Sequence, residues 1–162
     1  MKSLERIDSN GALRFERFLP GPPERIWNYL TSPSLLATWL AEGEMELHSG
    51  GYVELRCGFR ESQPVVGVGS FISGVVTHCQ PPESLAYCCT DTTTISNVTF
   101  EIEPRGVDVL LLLTHAGLPK SYMRDCRIGW NARLDALEEQ LGSPTAVARR
   151  LFDDGGATQY ET

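Results

Sequence analysis

One cationic residue in this sequence occupies a position where a strand pattern turns the side chain toward an apolar core. Arg17 shares the inward phase of Leu13 and Phe15 in an alternating segment. A guanidinium is always charged, so on an apolar face it requires a partner. The candidates are an acidic side chain at a cavity rim, such as Glu42 or Glu44, an anionic or carbonyl group of a ligand, and water reached by snorkelling.

His115 is the second residue suited to chemistry, because it ends a long apolar run beside the turn at Ala116 and Gly117. An imidazole at a cavity mouth can contact a ligand or exchange a proton with it. The alternative is a histidine that hydrogen-bonds a loop carbonyl. Tyr87 offers a hydroxyl that would orient the polar end of a ligand.

The remaining histidines and cysteines give little support for a metal site or a cysteine nucleophile. His48 and His78 lack the spacing of zinc ligands, and strand parity sends His78 and its neighbour Cys79 to opposite faces. Cys57 has inward parity and no cationic neighbour, which favours a small core residue over a nucleophile. The sequence contains no serine–histidine–acid order, phosphate loop or spaced carboxylate pair. We therefore expect no catalytic residues, metal or cofactor.

Hydrophobic periodicity predicts the strands and helices that position these residues. Period-two alternation predicts a first strand over residues 13–17. Prolines at 22–23 and at 33 then predict two short helices, over residues 24–30 and 33–40, because proline in a first helical turn costs no hydrogen bond. Residues 44–115 alternate in short runs broken by turn residues, as in an antiparallel meander. Their inward phase includes Val53, Leu55, Cys57, Phe59, Val98, Phe100, Ile102, Val107, Val109, Leu111 and Leu113.

A long amphipathic helix is predicted after Pro119, ending before Gly142 and Pro144. Its apolar stripe is Met123, Cys126, Trp130, Leu134, Leu137 and Leu141, with Arg127, Arg133, Asp135 and Glu138 on other faces. The pattern predicts one α+β domain over residues 1–142, followed by a short helix and flexible tail over residues 143–162.

Composition narrows the partners of this domain. The chain has 162 residues, 41% of them hydrophobic, and its 21 acidic against 14 basic residues give a net charge of −7. Like-charge repulsion disfavours nucleic acid and anionic bilayers. No apolar run is long enough to span a membrane and none marks a signal peptide, while five cysteines suggest free thiols. We expect a cytoplasmic protein.

Five phrases in order resemble one family. They are RFLPGPPERIWNYLTSPSLLATWL, HSGGYVELR, GVVTHCQPPESLAYCC, VTFEIEPRGVDVLLLLTHAGL and GWNARLDALEEQL. Together they resemble the activator-of-Hsp90-ATPase homologue branch of the START-like (SRPBCC) superfamily. The resemblance implies a helix-grip fold, in which a curved antiparallel sheet wraps around the long C-terminal helix and encloses a cavity.

The resemblance implies three alternative functions, and the fold alone does not choose among them. The first is a non-catalytic carrier of a small hydrophobic molecule, with binding driven by apolar burial. The second is a cavity enzyme of the polyketide cyclase or dehydratase type, in which His115 or Arg17 polarises a carbonyl. The third is a partner of a chaperone ATPase, and pairing of two copies is open too. For the first, the predicted ligand contacts are Phe15, Arg17, Trp39, Leu55, Phe59, Tyr87, Phe100, Leu111, His115, Trp130 and Leu134.

Overall fold

Eight strands and three helices make up the part of the chain that the computed structural model describes, residues 4–56, 71–90 and 95–142. In chain order they are β1 (Leu4–Ile7), β2 (Leu13–Pro20), α1 (Pro23–Thr31), α2 (Pro33–Leu36), β3 (Glu42–Met45), β4 (Tyr52–Arg56), β5 (Phe71–Gln80), β6 (Ser84–Thr90), β7 (Ile95–Arg105), β8 (Asp108–Ala116) and α3 (Lys120–Leu141).

The strands form one antiparallel sheet in the order β1-β2-β8-β7-β6-β5-β4-β3. Strands β3 to β8 form a meander in which each strand pairs with the next, and β2 pairs with the other side of β8. In that pairing Phe15 lies opposite Leu113 and Arg17 opposite Leu111. Opposed residues share a face, so Arg17 lies on the same apolar face as Phe15.

The long helix α3 packs its apolar stripe on the concave face of this curved sheet. Its 22 residues give it a length of about 33 Å, enough to cross several strands. The N-terminal region between β2 and β3 forms a helical elbow, which we define as α1, α2 and the turn through Ala41. Proline at the start of each short helix accounts for the two helix beginnings. The architecture is the predicted α+β helix-grip fold.

Several sequence predictions need correction. The sheet begins one strand earlier than predicted, at β1, whose four residues are all exposed and so carry no alternation of burial. Helix α2 ends at Leu36 rather than near residue 40, and the elbow continues as turns. Val107 does not face inward: it is 59% exposed because it belongs to the tight turn at Gly106 that precedes β8.

One apolar core lies between the sheet, α3 and the elbow. It contains the predicted inward residues Val53, Leu55, Val98, Phe100, Ile102, Val109, Leu111 and Leu113. Cys57 and Phe59 lie outside the described residues, as does the helix and tail predicted for residues 143–162. The described cysteines, at 79, 88, 89 and 126, form no disulfide with one another. No helix in the described ranges is both long and apolar enough to cross a bilayer.

Candidate functional site

An aromatic cluster occupies the centre of the core. The Phe100 ring on β7 contacts three others: Trp39 of the elbow at 6.4 Å between centroids, Tyr87 of β6 at 6.3 Å and Trp130 of α3 at 6.1 Å. The Trp39 and Trp130 rings meet Phe100 edge to face, a favourable geometry for aromatic pairs. The cluster therefore joins the elbow, the sheet and α3 at one point.

His115 extends this cluster on its β8 side. Trp130 Nε1 lies 2.9 Å from His115 Nδ1, and His115 Nε2 lies 2.8 Å from Ser96 Oγ. An indole N–H can only donate, so Nδ1 of His115 accepts and the ring proton is on Nε2, which donates to Ser96. Burial lowers the pKa of His115 from 6.5 to about 4, and the ring is therefore neutral at pH 7.

The structure corrects the expected position of His115. Its side chain is fully buried rather than at a cavity mouth, and it hydrogen-bonds two side chains rather than a loop carbonyl. The reason is the inward parity of β8 at this position, which points the ring at α3. Because both ring nitrogens are engaged, His115 orients Trp130 and closes the core.

Arg17 is buried on the sheet, and its partners lie on α3. Its NH1 atom donates to Asp135 Oδ1 at 2.9 Å and to Glu138 Oε2 at 2.8 Å, and NH2 donates to Asn131 Oδ1 at 3.0 Å. The predicted partners Glu42 and Glu44 are on β3, at the opposite edge of the sheet, so they do not pair with Arg17. Its two terminal nitrogens are bonded to α3, while Nε is buried without a hydrogen-bond partner among the described residues.

Those two acidic residues have partners of their own. Glu42 lies 3.6 Å from Arg56, and Glu44 accepts a hydrogen bond from the Tyr52 hydroxyl at 2.8 Å. That hydrogen bond is the main reason why the pKa of Tyr52 is raised to about 12. This edge of the sheet therefore holds its charges in local surface contacts.

The other predicted ligand contacts lie together in the core. Phe15, Leu55, Tyr87, Phe100, Leu111, Trp130 and Leu134 are each at most 2% exposed. Side chains this buried are covered by protein, so a ligand that touches them must first displace a neighbour. Phe59 lies outside the described residues. A ligand role for the whole set stays a prediction.

An open pocket lies outside this core, between the elbow and α3. We call it the elbow pocket. Its volume is about 430 Å³, and its lining is Ala37, Thr38, Trp39, Leu40 and Ala41 from the elbow and Ala132, Arg133, Asp135, Ala136 and Glu139 from α3. Of these residues only Trp39 was predicted to contact a ligand. The elbow pocket thus reaches the aromatic cluster through a single side chain.

A sequence signal for the elbow pocket exists on α3. Ala132 and Ala136 are one helical turn apart, so they present two small side chains on the same face. They face the alanines of the elbow, and small residues on both sides leave the space unfilled. Arg133, predicted to face away from the core, is instead 6% exposed because it lies at the elbow side of α3.

Trp39 separates the elbow pocket from the interior. Its indole is 2% exposed, contacts Phe100 on the inside, and donates from Nε1 to the Tyr29 carbonyl oxygen at 2.8 Å. These two contacts fix the orientation of the ring of a residue that also lines the pocket. Within the described ranges no three histidine, cysteine or acidic side chains group in a way that would hold a metal ion.

Comparison with known proteins supports this fold. CalU16 from Micromonospora echinospora has a similar structure, with a TM-score of 0.67 and 21% identity over 91% of this chain and 87% of that chain. The BPP1335 protein of Bordetella parapertussis has a TM-score of 0.66 and 30% identity over 86% of this chain and 79% of that chain. DynU16, from the dynemicin biosynthetic locus, has a TM-score of 0.67 and 18% identity over 80% of this chain and 46% of that chain.

No curated protein matches the chain, but its sequence matches a family model. The family described as "Activator of Hsp90 ATPase homolog 1-like protein" matches residues 20–142, which is more than half of the chain and includes the elbow, β3 to β8 and α3. With the helix-grip fold in place as well, the chain belongs to the activator of Hsp90 ATPase homolog 1-like family of the START-like superfamily.

Proposed function

We propose that this protein is a non-catalytic binding protein for a small, largely hydrophobic molecule that enters through the elbow pocket. The observation that carries the proposal is Trp39, which lines the pocket and also contacts the central ring Phe100. A ligand on the pocket side is therefore one side chain away from the aromatic core. This arrangement links a surface opening to the interior that the family fold encloses.

The size and lining of the elbow pocket support a small ligand. Its volume of about 430 Å³ falls in the lower part of the range for small-molecule sites, which is roughly 300–1,000 Å³. Alanines provide apolar walls, while Thr38, Arg133 and Glu139 place polar groups at the same pocket. With Asp135 also in the lining, polar groups provide more of the exposed pocket surface than apolar groups, so the pocket favours a ligand that carries polar substituents on an apolar body.

A deeper position requires movement of Trp39. The ring would give up its edge-to-face contact with Phe100, worth about 0.5–1.5 kcal/mol, and its hydrogen bond to Tyr29, worth about the same. Burial of a few apolar groups offsets such a cost, at about 0.8 kcal/mol per methylene. Flat aromatic compounds are the first class to test, because they can replace the ring contact that Trp39 gives up.

The polar residues of the core favour binding over catalysis. The enzyme hypothesis assigned carbonyl polarisation to His115 or Arg17. Both His115 nitrogens are hydrogen-bonded to Trp130 and Ser96, and the Arg17 guanidinium is bonded to three side chains of α3. Either residue would have to break these contacts before it could polarise a substrate.

The test is a fluorescence titration with N-phenyl-1-naphthylamine, a neutral aromatic probe whose emission increases in apolar surroundings. The wild-type protein should bind it, and Ala136→Phe, which fills the elbow pocket from α3, should weaken binding by about tenfold or more. Ala136→Ser is the size-matched control and should bind as the wild type does. Thermal unfolding of each variant checks that the fold is intact.

Two results would refute the proposal. One is a wild-type protein that does not bind the probe. The other is equal affinity in the wild type and a folded Ala136→Phe variant, because binding would then occur elsewhere. Capture of a chaperone ATPase at near-physiological salt by a protein that does not bind the probe would favour the interaction hypothesis instead.

A further inference from the structure

A second pocket lies on another part of α3, where the N-terminal half of the helix passes the edge strand β1. We call it the edge pocket. Its volume is about 480 Å³, and its lining is Glu5, Arg6, Ile7, Leu13, Lys120, Met123, Arg124 and Arg127. It shares no residue with the elbow pocket. An inference about it is independent of the proposed function.

The edge pocket has an apolar strip provided by both elements. Ile7 lies opposite Leu13 in the β1–β2 register, so its side chain is on the same face as the core residue Leu13. That face is the one toward α3, because Glu5, two residues earlier, hydrogen-bonds to Asn131. Ile7 is nevertheless 58% exposed, and Met123 of α3 is only half-buried. The strip therefore presents uncovered apolar surface beside charged groups.

The charge of the edge pocket is opposite to that of the chain. Four cationic residues and one acidic residue line it, in a protein with a net charge of −7. Glu5 is already engaged, with Oε2 at 3.1 Å from Arg127 and Oε1 at 2.6 Å from Asn131. Arg6 interacts electrostatically with Asp8. The remaining two cations, Lys120 and Arg124, form no ion pair with any residue of the described ranges.

Lys120 and Arg124 are spaced to act together. They are four residues apart on α3, so their side chains start about 5–6 Å from each other on one face, with Met123 beside them. Two like charges at this spacing repel each other, and an anion between them would relieve the repulsion. A carboxylate is small enough to contact both and accepts hydrogen bonds from each.

We propose that the edge pocket binds a monomeric single-chain carboxylate amphiphile, such as a medium-chain fatty acid. The Lys120 ammonium and Arg124 guanidinium hold the carboxylate, and the alkyl chain covers the exposed surface of Ile7 and Met123. The cationic rim and the adjoining apolar strip match the two halves of such a molecule. A carboxylate without an alkyl chain would leave the apolar strip uncovered, and an alkyl chain without a carboxylate would leave the cationic rim unused.

The experiment is an isothermal titration of the full chain with sodium decanoate, below its micelle concentration, together with methyl NMR. Decanoate should bind and shift the methyl signals of Ile7 and Met123. Acetate, which has the head without the chain, and decanol, which has the chain without the charge, should each bind much more weakly. Affinity should fall as salt is raised, because the contacts with Lys120 and Arg124 are at the surface.

Matched variants separate this site from general electrostatics. Lys120→Gln/Arg124→Gln should weaken decanoate binding by about tenfold, the effect of losing two exposed charge contacts. Arg56→Gln/Arg105→Gln removes the same charge on β4 and at the end of β7 and should leave the affinity unchanged. Ile7→Ser, at an exposed position, should also weaken decanoate binding while leaving acetate unaffected.

Several results would overturn the inference. Equal decanoate affinity in the wild type and in Lys120→Gln/Arg124→Gln would exclude the headgroup site, and equal affinity for decanol would exclude a role for charge. Binding to phosphatidylglycerol vesicles without binding to monomeric decanoate would assign the surface to a bilayer. N-phenyl-1-naphthylamine binding tests the elbow pocket separately, so either proposal can fail alone.

Discussion

Substitution of His115 by glutamine should remove a defined part of the protein's sensitivity to acid. In the folded protein, burial lowers the pKa of His115 from 6.5 to about 4. Between these values the unfolded chain binds a proton at this residue and the folded chain does not, so stability decreases as the pH falls. The stabilisation is fully present above pH 6.5 and is lost by about pH 4.

The size of this loss follows from the pKa difference. Each pKa unit corresponds to about 1.4 kcal/mol, so the fall from 6.5 to about 4 makes the loss on the order of 3 kcal/mol. The side chain is fully buried, so screening by solvent does not reduce this value. Burial causes the penalty, because a charged imidazolium would lose its hydration in the core. The geometry agrees with a neutral ring, since a proton on Nδ1 would face the Trp130 N–H and leave two opposed donors.

The assay is urea unfolding followed by tryptophan fluorescence at several values between pH 7 and pH 4. Glutamine does not titrate, so His115→Gln should start less stable at pH 7 but lose about 3 kcal/mol less than the wild type over this range. His78→Gln, at an exposed position on β5, is the matched control and should follow the wild-type pH dependence. Parallel curves for the wild type and His115→Gln would refute the reasoning.

Two further substitutions test the packing around the sites. Arg17→Met should lower the free energy of unfolding by about 1–3 kcal/mol, because it removes three hydrogen bonds to α3. The loss stays in this range since the exposed carboxylates of Asp135 and Glu138 regain water. Chemical denaturation measures the change, and an unchanged midpoint would contradict it. Gly74→Ala should cost about 1–3 kcal/mol, because the added Cβ would overlap the Cys88 carbonyl oxygen on β6. Ser73→Ala on the same strand is its control, and equal melting temperatures for the two variants would show that β5 and β6 separate easily.

Much of the fold follows from local burial patterns. The alternation around Phe100 and the stripe through Trp130 and Leu134 predict the correct elements because burial repeats with the period of each structure. Strand β1 could not be found this way, since all its residues are exposed. Val107 was misplaced because strand parity does not hold inside a tight turn.

The candidate sites were harder to predict, since they depend on contacts between distant parts of the chain. The partners of Arg17 are 114 to 121 residues away, and only the packing of α3 on the sheet selects them over the nearer acids of β3. The inward direction of His115 was predictable, but its bond to Trp130 required the helix position. The elbow pocket likewise exists only once Ala37 and Ala41 face Ala132 and Ala136.

The most direct test of the binding proposal is ¹⁹F NMR of protein labelled with 5-fluorotryptophan. The three tryptophans report on different places: Trp39 at the elbow pocket, Trp130 in the core beside His115, and Trp27 on α1. Addition of N-phenyl-1-naphthylamine should shift the Trp39 signal most and leave Trp27 nearly unchanged. A Trp39 signal that stays in place at saturating probe would contradict entry of a ligand through the elbow pocket.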